Sequence, residues 1–195
     1  MSVVKSGDHL EWLNASDDVL TTKDGLPITV WTLVSVPDDE ETWSNWARHF
    51  RAHYCTDEMI DALKEGTPYE ASRKDYLNAL VFPDSTSSLG PAIRAGDFAE
   101  ILVADLIEQK LAYWVPRTRY AAKDIRDEST KGVDVIGIRL AVGEHFASPH
   151  DELLTVETKA QLTGNSPKPQ LQAAVVDSAK DELRKAETLK QGNFK

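Results

Sequence analysis

Four residues of this chain carry the chemistry that its spacing permits: Glu100, Asp134, Glu157 and Lys159. Gly96-Asp97-Phe98-Ala99-Glu100 opens an apolar helix, Gly132-Val133-Asp134-Val135-Ile136 lies in a strand-like run, and Val156-Glu157-Thr158-Lys159 ends another. Side chains alternate along a strand, so Glu157 and Lys159 are predicted to share a face. Three carboxylates and one ammonium at one sheet edge suit a hard divalent cation, Mg²⁺ or Mn²⁺, that meets a phosphate. Carboxylate oxygens would ligate the metal, and the ammonium would handle a water or an oxyanion.

Each of these residues also has a plain structural role to weigh. Glu-x-Lys recurs as Glu108-Gln109-Lys110, where a helix separates the two side chains, so the pattern alone means little. Glu157-Thr158-Lys159 differs because the apolar Leu153, Leu154 and Val156 precede it. An edge-strand ion pair is its plain reading. Asp134 stands among valines, where a carboxylate is expensive unless paired or metal-bound; otherwise it is a turn residue after Gly132. Glu100 lies on the stripe of Val103, Ala104 and Ile107, or simply favours a helix N-terminus. Each plain role suffices singly, but all three in this order are harder to dismiss.

Other candidates are weaker. Pro83-Asp84 precedes a serine-rich loop rather than a strand. His49, His53 and Cys55 lack the spacing and the fourth ligand of a zinc site. The chain has no nucleophile elbow, glycine-rich phosphate loop or dinucleotide fingerprint. Lys123, Arg126 and Lys131 precede Asp134 and are either phosphate contacts or solvated charges.

The elements that must position these groups follow from periodicity. Residues 19–22, the turn Asp24-Gly25 and residues 28–36 read as a hairpin. Trp43, Trp46, Phe50 and Tyr54 form an aromatic helical stripe, most simply core. A short helix stops near Gly66, and another begins at Ser72 with Asp75 completing a weak capping box. Residues 83–91 form the boundary loop. This divides the chain into a hairpin-plus-helices lobe, residues 1–90, and an α/β core, residues 91–195. In that core a helix over 96–110 precedes strands near 113–120, 133–140 and 153–160. A helix over about 170–190 follows, with Val175, Val176, Ala179, Leu183 and Ala186 as its apolar stripe. The order implies an α/β core with a mixed sheet. The sequence ends one strand short of that order, leaving a truncated or a minimal domain as alternatives.

Bulk properties narrow the function. The 195 residues carry a net charge of −10, which argues against tight, unaided, non-specific DNA binding and calls for a delivering partner if the substrate is DNA. No apolar run spans a bilayer, no signal pattern opens the chain, and the single Cys55 suits a reducing cytoplasm.

At Glu100, Asp134, Glu157 and Lys159 the chain resembles the PD-(D/E)xK nuclease superfamily, whose core carries a helix glutamate, a strand aspartate and an E-x-K strand. The longer strings at residues 90–102, 113–120 and 128–132, with His49-Phe50-Arg51 and His53-Tyr54-Cys55, are similar to the HamA family of bacterial Hachiman anti-phage defence. That resemblance covers nearly the whole chain. It implies a restriction-endonuclease-like core and a DNA nuclease effector held by a HamB-like helicase. Asp134 and Glu157 would bind Mg²⁺, with Glu100 ligating directly or through water. Lys159, kept protonated by its carboxylate neighbours, would stabilise developing charge. A non-catalytic interaction subunit that keeps the fold is the alternative.

Overall fold

A computed structural model describes residues 8–117, 126, 133–141, 148–162 and 168–191, the side chains of 168 and 181–191 excepted. Lys123, Lys131 and the 128–132 string lie outside the described residues, as do the side chains of Leu183 and Ala186. The chain divides into two compact units, Met1–His49 and Phe50–Lys195.

In the first unit, β1 (Leu13–Ala15), β2 (Leu20–Thr21), β3 (Pro27–Ile28) and β4 (Trp31–Leu33) form two antiparallel pairs, β1 with β4 and β2 with β3. The β2–β3 turn is the expected one: Gly25 takes φ +80°, a left-handed value that glycine adopts without steric cost. Thr22 closes it, its carbonyl accepting from Gly25 N–H and its hydroxyl from Leu26 N–H. The single strand expected over 28–36 is instead two short strands, because its halves pair with different partners. The helix α1 (Glu40–Ala52) starts where the Asp39 carboxylate accepts from both the backbone and the hydroxyl of Thr42, each at 2.8 Å. Trp46 packs against Trp43 and Trp12, at centroid distances of 5.6 and 5.8 Å.

The second unit begins with the end of α1, α2 (Asp57–Lys64) and α3 (Arg73–Tyr76). Ser72 Oγ accepts from Asp75 N–H, so the capping half of the expected box is present. The chain continues through a π-helical turn, Leu77–Val81. Cys55, Ile60, Tyr76 and Leu77 form one buried core, which gives the cysteine a packing role. Arg126 is not simply a solvated charge: it donates to the carbonyls of Asn78 and Ala79 and to Asp84, tying the π turn to the loop beyond it. Asp84 also holds Thr86, as suits a loop residue.

The helix α4 (Gly90–Gln109) starts six residues earlier than residue 96, because Pro91 in its first turn has no N–H to leave unpaired. The strands β5 (Val135–Arg139) and β6 (Glu152–Val156) pair antiparallel, Val135 opposite Val156 and Arg139 opposite Glu152. The strand expected over 113–120 appears as one antiparallel bridge, Trp114 to Ile138, and its residues 118–120 lie outside the described set. All described pairings are antiparallel, so a parallel partner that would make the sheet mixed is not among the described residues. Ala104, Ile107, Val115 and Val135 form the core between α4 and the sheet. Gly137 permits that approach, since a Cβ there would sit 3.1 Å from both Ile107 and Tyr113. The helix α5 (Lys168–Gln191) completes the unit, with Leu171, Val175 and Val176 each about half exposed. Among the described residues no helix is long and apolar enough to cross a membrane.

Candidate active site

The β5–β6 pair is locked by an ion pair at one end and carries the candidate acids at the other. At the locked end Arg139 meets Glu152 through two hydrogen bonds of 2.6 Å, and Tyr113 donates its hydroxyl to the same carboxylate at 2.6 Å. The guanidinium also lies 4.4 Å from the Tyr113 ring centroid. These contacts hold Glu152 below the usual carboxylate range, the Arg139 bonds first and the Tyr113 bond second. They also fix the register, because a slip by one residue would turn Glu152 away from Arg139.

With the register fixed, the residues just past the other end are Asp134 and Glu157, in line to face one another beyond the Val135–Val156 pair. Neither lies inside a strand, which corrects the expected strand limits of 133–140 and 153–160. The chain stays extended enough for the expected contact. Lys159 Nζ donates to Glu157 Oε1 at 2.5 Å, and Asp134 Oδ2 accepts from the backbone N–H of Thr158, between them, at 2.8 Å. Asp134, Glu157 and Lys159 are therefore brought together through one three-residue segment.

Glu100 reaches this end from α4. It is buried, one turn before Ala104 on the stripe that packs on the sheet. From Ile107 to Glu100 the helix rises about 10 Å, and from Gly137 to Asp134 the strand rises about 10 Å. Ala104, one turn after Glu100, shares a buried cluster with Val135, the residue after Asp134. Among the described residues, the carboxylate oxygens of Glu100, Asp134 and Glu157 are not all gathered within 4.8 Å of one another.

Two neighbouring groups were given no part in the site by the sequence. Asp177 of α5 accepts from Lys159 Nζ at 2.8 Å, so the lysine is clamped between two carboxylates. The bonds to Asp177 and then Glu157 raise the Lys159 pKa well above its ordinary value, and Asp177 falls to about 2 under the Lys159 and Lys180 contacts. Lys159 is therefore a cation at any neutral pH. Nothing in the sequence distinguished Asp177 from a solvated helix acid. The second is the Tyr54 hydroxyl, which donates to the buried Asp97 carboxylate at 2.6 Å. Burial first, then the Asp97 bond, pushes the Tyr54 hydroxyl far above its ordinary range, and the charge of Glu100 adds to the effect.

As a donor set, Glu100, Asp134 and Glu157 supply only hard oxygen ligands, which fits a Mg²⁺-class ion rather than a thiophilic metal. No curated protein and no solved structure matches this chain. A family model described as HamA matches residues 7–193, nearly the whole length, and the chain belongs to the HamA family.

Proposed function

We propose that this chain is a metal-dependent nuclease with a PD-(D/E)xK core, hydrolysing DNA phosphodiester bonds under the control of a HamB-like helicase. Membership of the HamA family makes it a subunit of Hachiman anti-phage defence. One observation supports the nuclease chemistry above the rest. A single extended segment presents Glu157 and Lys159 in contact and takes Asp134 on its middle amide.

On this reading Asp134 and Glu157 would hold the cation, with Glu100 ligating directly or through water. When bound, Mg²⁺ or Mn²⁺ lowers the pKa of its water and offsets charge on the scissile phosphate. Lys159 stays protonated, so it stabilises charge developing on the phosphate rather than accepting a proton. The Thr158 amide fixes the Asp134 carboxylate, which spares the site that reorganisation during the reaction. Asp177 sets the direction of Lys159 and competes for its charge.

The test is cleavage of a plasmid by the chain, with and without its helicase, in Mg²⁺ and in EDTA. We expect Mg²⁺-dependent nicking or linearisation that Glu157→Ala abolishes. Equal cutting by Glu157→Ala would remove the assignment. The exposed apolar residues Leu171, Val175 and Val176 of α5 favour a second reading, a non-catalytic subunit that docks on a partner. Stable helicase binding with no cleavage under any condition would select it.

A further inference from the structure

A cavity of about 550 Å³ opens beside α4 in the second unit, walled by Phe50, Phe82 and Phe98 with Tyr54, Arg94 and Leu162. Phe50 and Phe98 lie 4.4 Å apart with their rings 34° from parallel, and Tyr54 meets Phe82 edge-on at 5.3 Å. Arg94 is fixed at the wall: its Nε donates to the Pro83 carbonyl at 2.8 Å, and its guanidinium lies 5.7 Å from the Phe82 centroid. That bond does not use the two terminal nitrogens, the ones suited to a phosphate. A cavity this size lies within the range of small-ligand sites.

The cavity and the proposed cleavage site share structure. Ile101, another lining residue, follows Glu100 on α4, and Leu162 lies three positions past Lys159. Tyr54 feels the charges of both Asp97 and Glu100. Aromatic faces, one fixed arginine and a neighbouring set of phosphodiester-cleaving groups select one occupant class.

We propose that this cavity receives an unpaired base of single-stranded DNA, stacked on the phenylalanine rings with Arg94 on an adjacent phosphate. The inference rests on the nuclease reading and specifies its substrate: a strand whose bases are already separated. A base in a duplex is stacked between its neighbours and cannot enter a side pocket without being extruded. Base–aromatic stacking tolerates any sequence, because every base offers a π-face.

The test measures binding in EDTA, where metal-dependent cleavage is silent. A fluorescent single-stranded oligothymidylate is titrated with the full chain at low salt and compared with an equally charged strand carrying abasic sugars and with a duplex. We expect the base-bearing strand to bind about tenfold more tightly than the abasic one. Arg94→Gln should weaken both single strands, and Phe98→Ala should remove the preference for bases. Thermal melting of both variants checks folding, and Arg94→Gln leaves the ring lining whole should Phe98→Ala unfold. Equal binding of the abasic and base-bearing strands, preference for the duplex, or no binding to any strand would overturn the proposal. Plasmid cleavage with Mg²⁺ is scored separately, so loss of base preference with cleavage intact rejects the pocket and spares the nuclease reading. Cleavage lost with base preference intact does the reverse.

Discussion

Tyr54→Phe removes one oxygen and tests the polar wall of the cavity. The Tyr54 hydroxyl bonds at 2.6 Å to a carboxylate that is only 6% exposed. A hydrogen bond to a charged group contributes about 2 kcal/mol, and deleting its donor leaves Asp97 buried with one partner fewer. For a chain of this size that loss lowers Tm by about 6 °C at neutral pH. The pH dependence supplies a sharper signature. Tyr54 titrates far above its ordinary value of 10.0, so its contribution is fully present below pH 10 and is lost as pH rises beyond it. The slope there is about 1.4 kcal/mol per pH unit for one group. The wild type should therefore lead the variant by about 2 kcal/mol at pH 7 and by less than about 1 kcal/mol at pH 11. Urea unfolding of both proteins at pH 7, 9 and 11 measures that gap. A gap that stays constant across the series, or a variant as stable as wild type at pH 7, would show that the hydroxyl is solvated and the Asp97 bond is not formed.

Three further outcomes are expected. Lys159→Ala should abolish Mg²⁺-dependent cleavage while leaving the thermal midpoint within a few degrees of wild type, and wild-type cutting rates in that variant would exclude Lys159 from the chemistry. Asp177→Asn keeps the shape of α5 but frees Lys159 from one of two carboxylates, so cleavage should persist with its rate altered severalfold; a complete loss of activity in a folded variant would make Asp177 part of the cleaving set. Gly90→Ala should destabilise by about 3 kcal/mol or more, because its Cβ would fall 1.6 Å from the Asp84 carbonyl oxygen, and an unchanged melting midpoint would contradict the loop geometry.

The fold was legible where periodicity and local chemistry agree. The α4 stripe and the Ser72–Asp75 cap of the second unit and the Asp24-Gly25 turn of the first all follow from residue types at fixed offsets. Limits were less legible because they depend on partners distant in sequence. The run after Ile28 looks continuous, yet β3 and β4 pair with different strands. At the candidate site, Glu157 and Lys159 were visible because alternation predicts a shared face and their side chains meet. The clamp on Lys159 was not, since Asp177 reads locally like any acid near Lys180 on a helix surface. The contacts of Arg126 were illegible for the same reason, since its carbonyl partners lie 47 and 48 residues away.

The net charge and the proposed chemistry are compatible only if long-range and short-range electrostatics are separated. A charge of −10 repels a polyanion at distances beyond a Debye length, about 8 Å in physiological salt, and so slows encounter rather than final contact. Within that length Arg94 and Lys159 act as local cations. Lys159 is offset by two carboxylates, whereas Arg94 is fixed through a neutral carbonyl. An unpaired strand brought to the cavity by another protein would meet a fixed guanidinium and stacking faces before it met the clamped lysine. Duplex DNA diffusing freely would meet the repulsion without the stacking. On the proposed reading, discrimination between host duplex and an opened strand then needs no sequence recognition. It follows from an acidic exterior, one base-sized aromatic recess and a cleaving group whose cation is shared with Asp177. A reduction of the net negative charge tests this directly. Replacing exposed acids Glu40, Glu41 and Glu58 with lysine should raise duplex binding by the isolated chain without changing the preference for base-bearing over abasic single strands. If the preference collapses with the added charge, surface electrostatics rather than the recess governs which DNA is held.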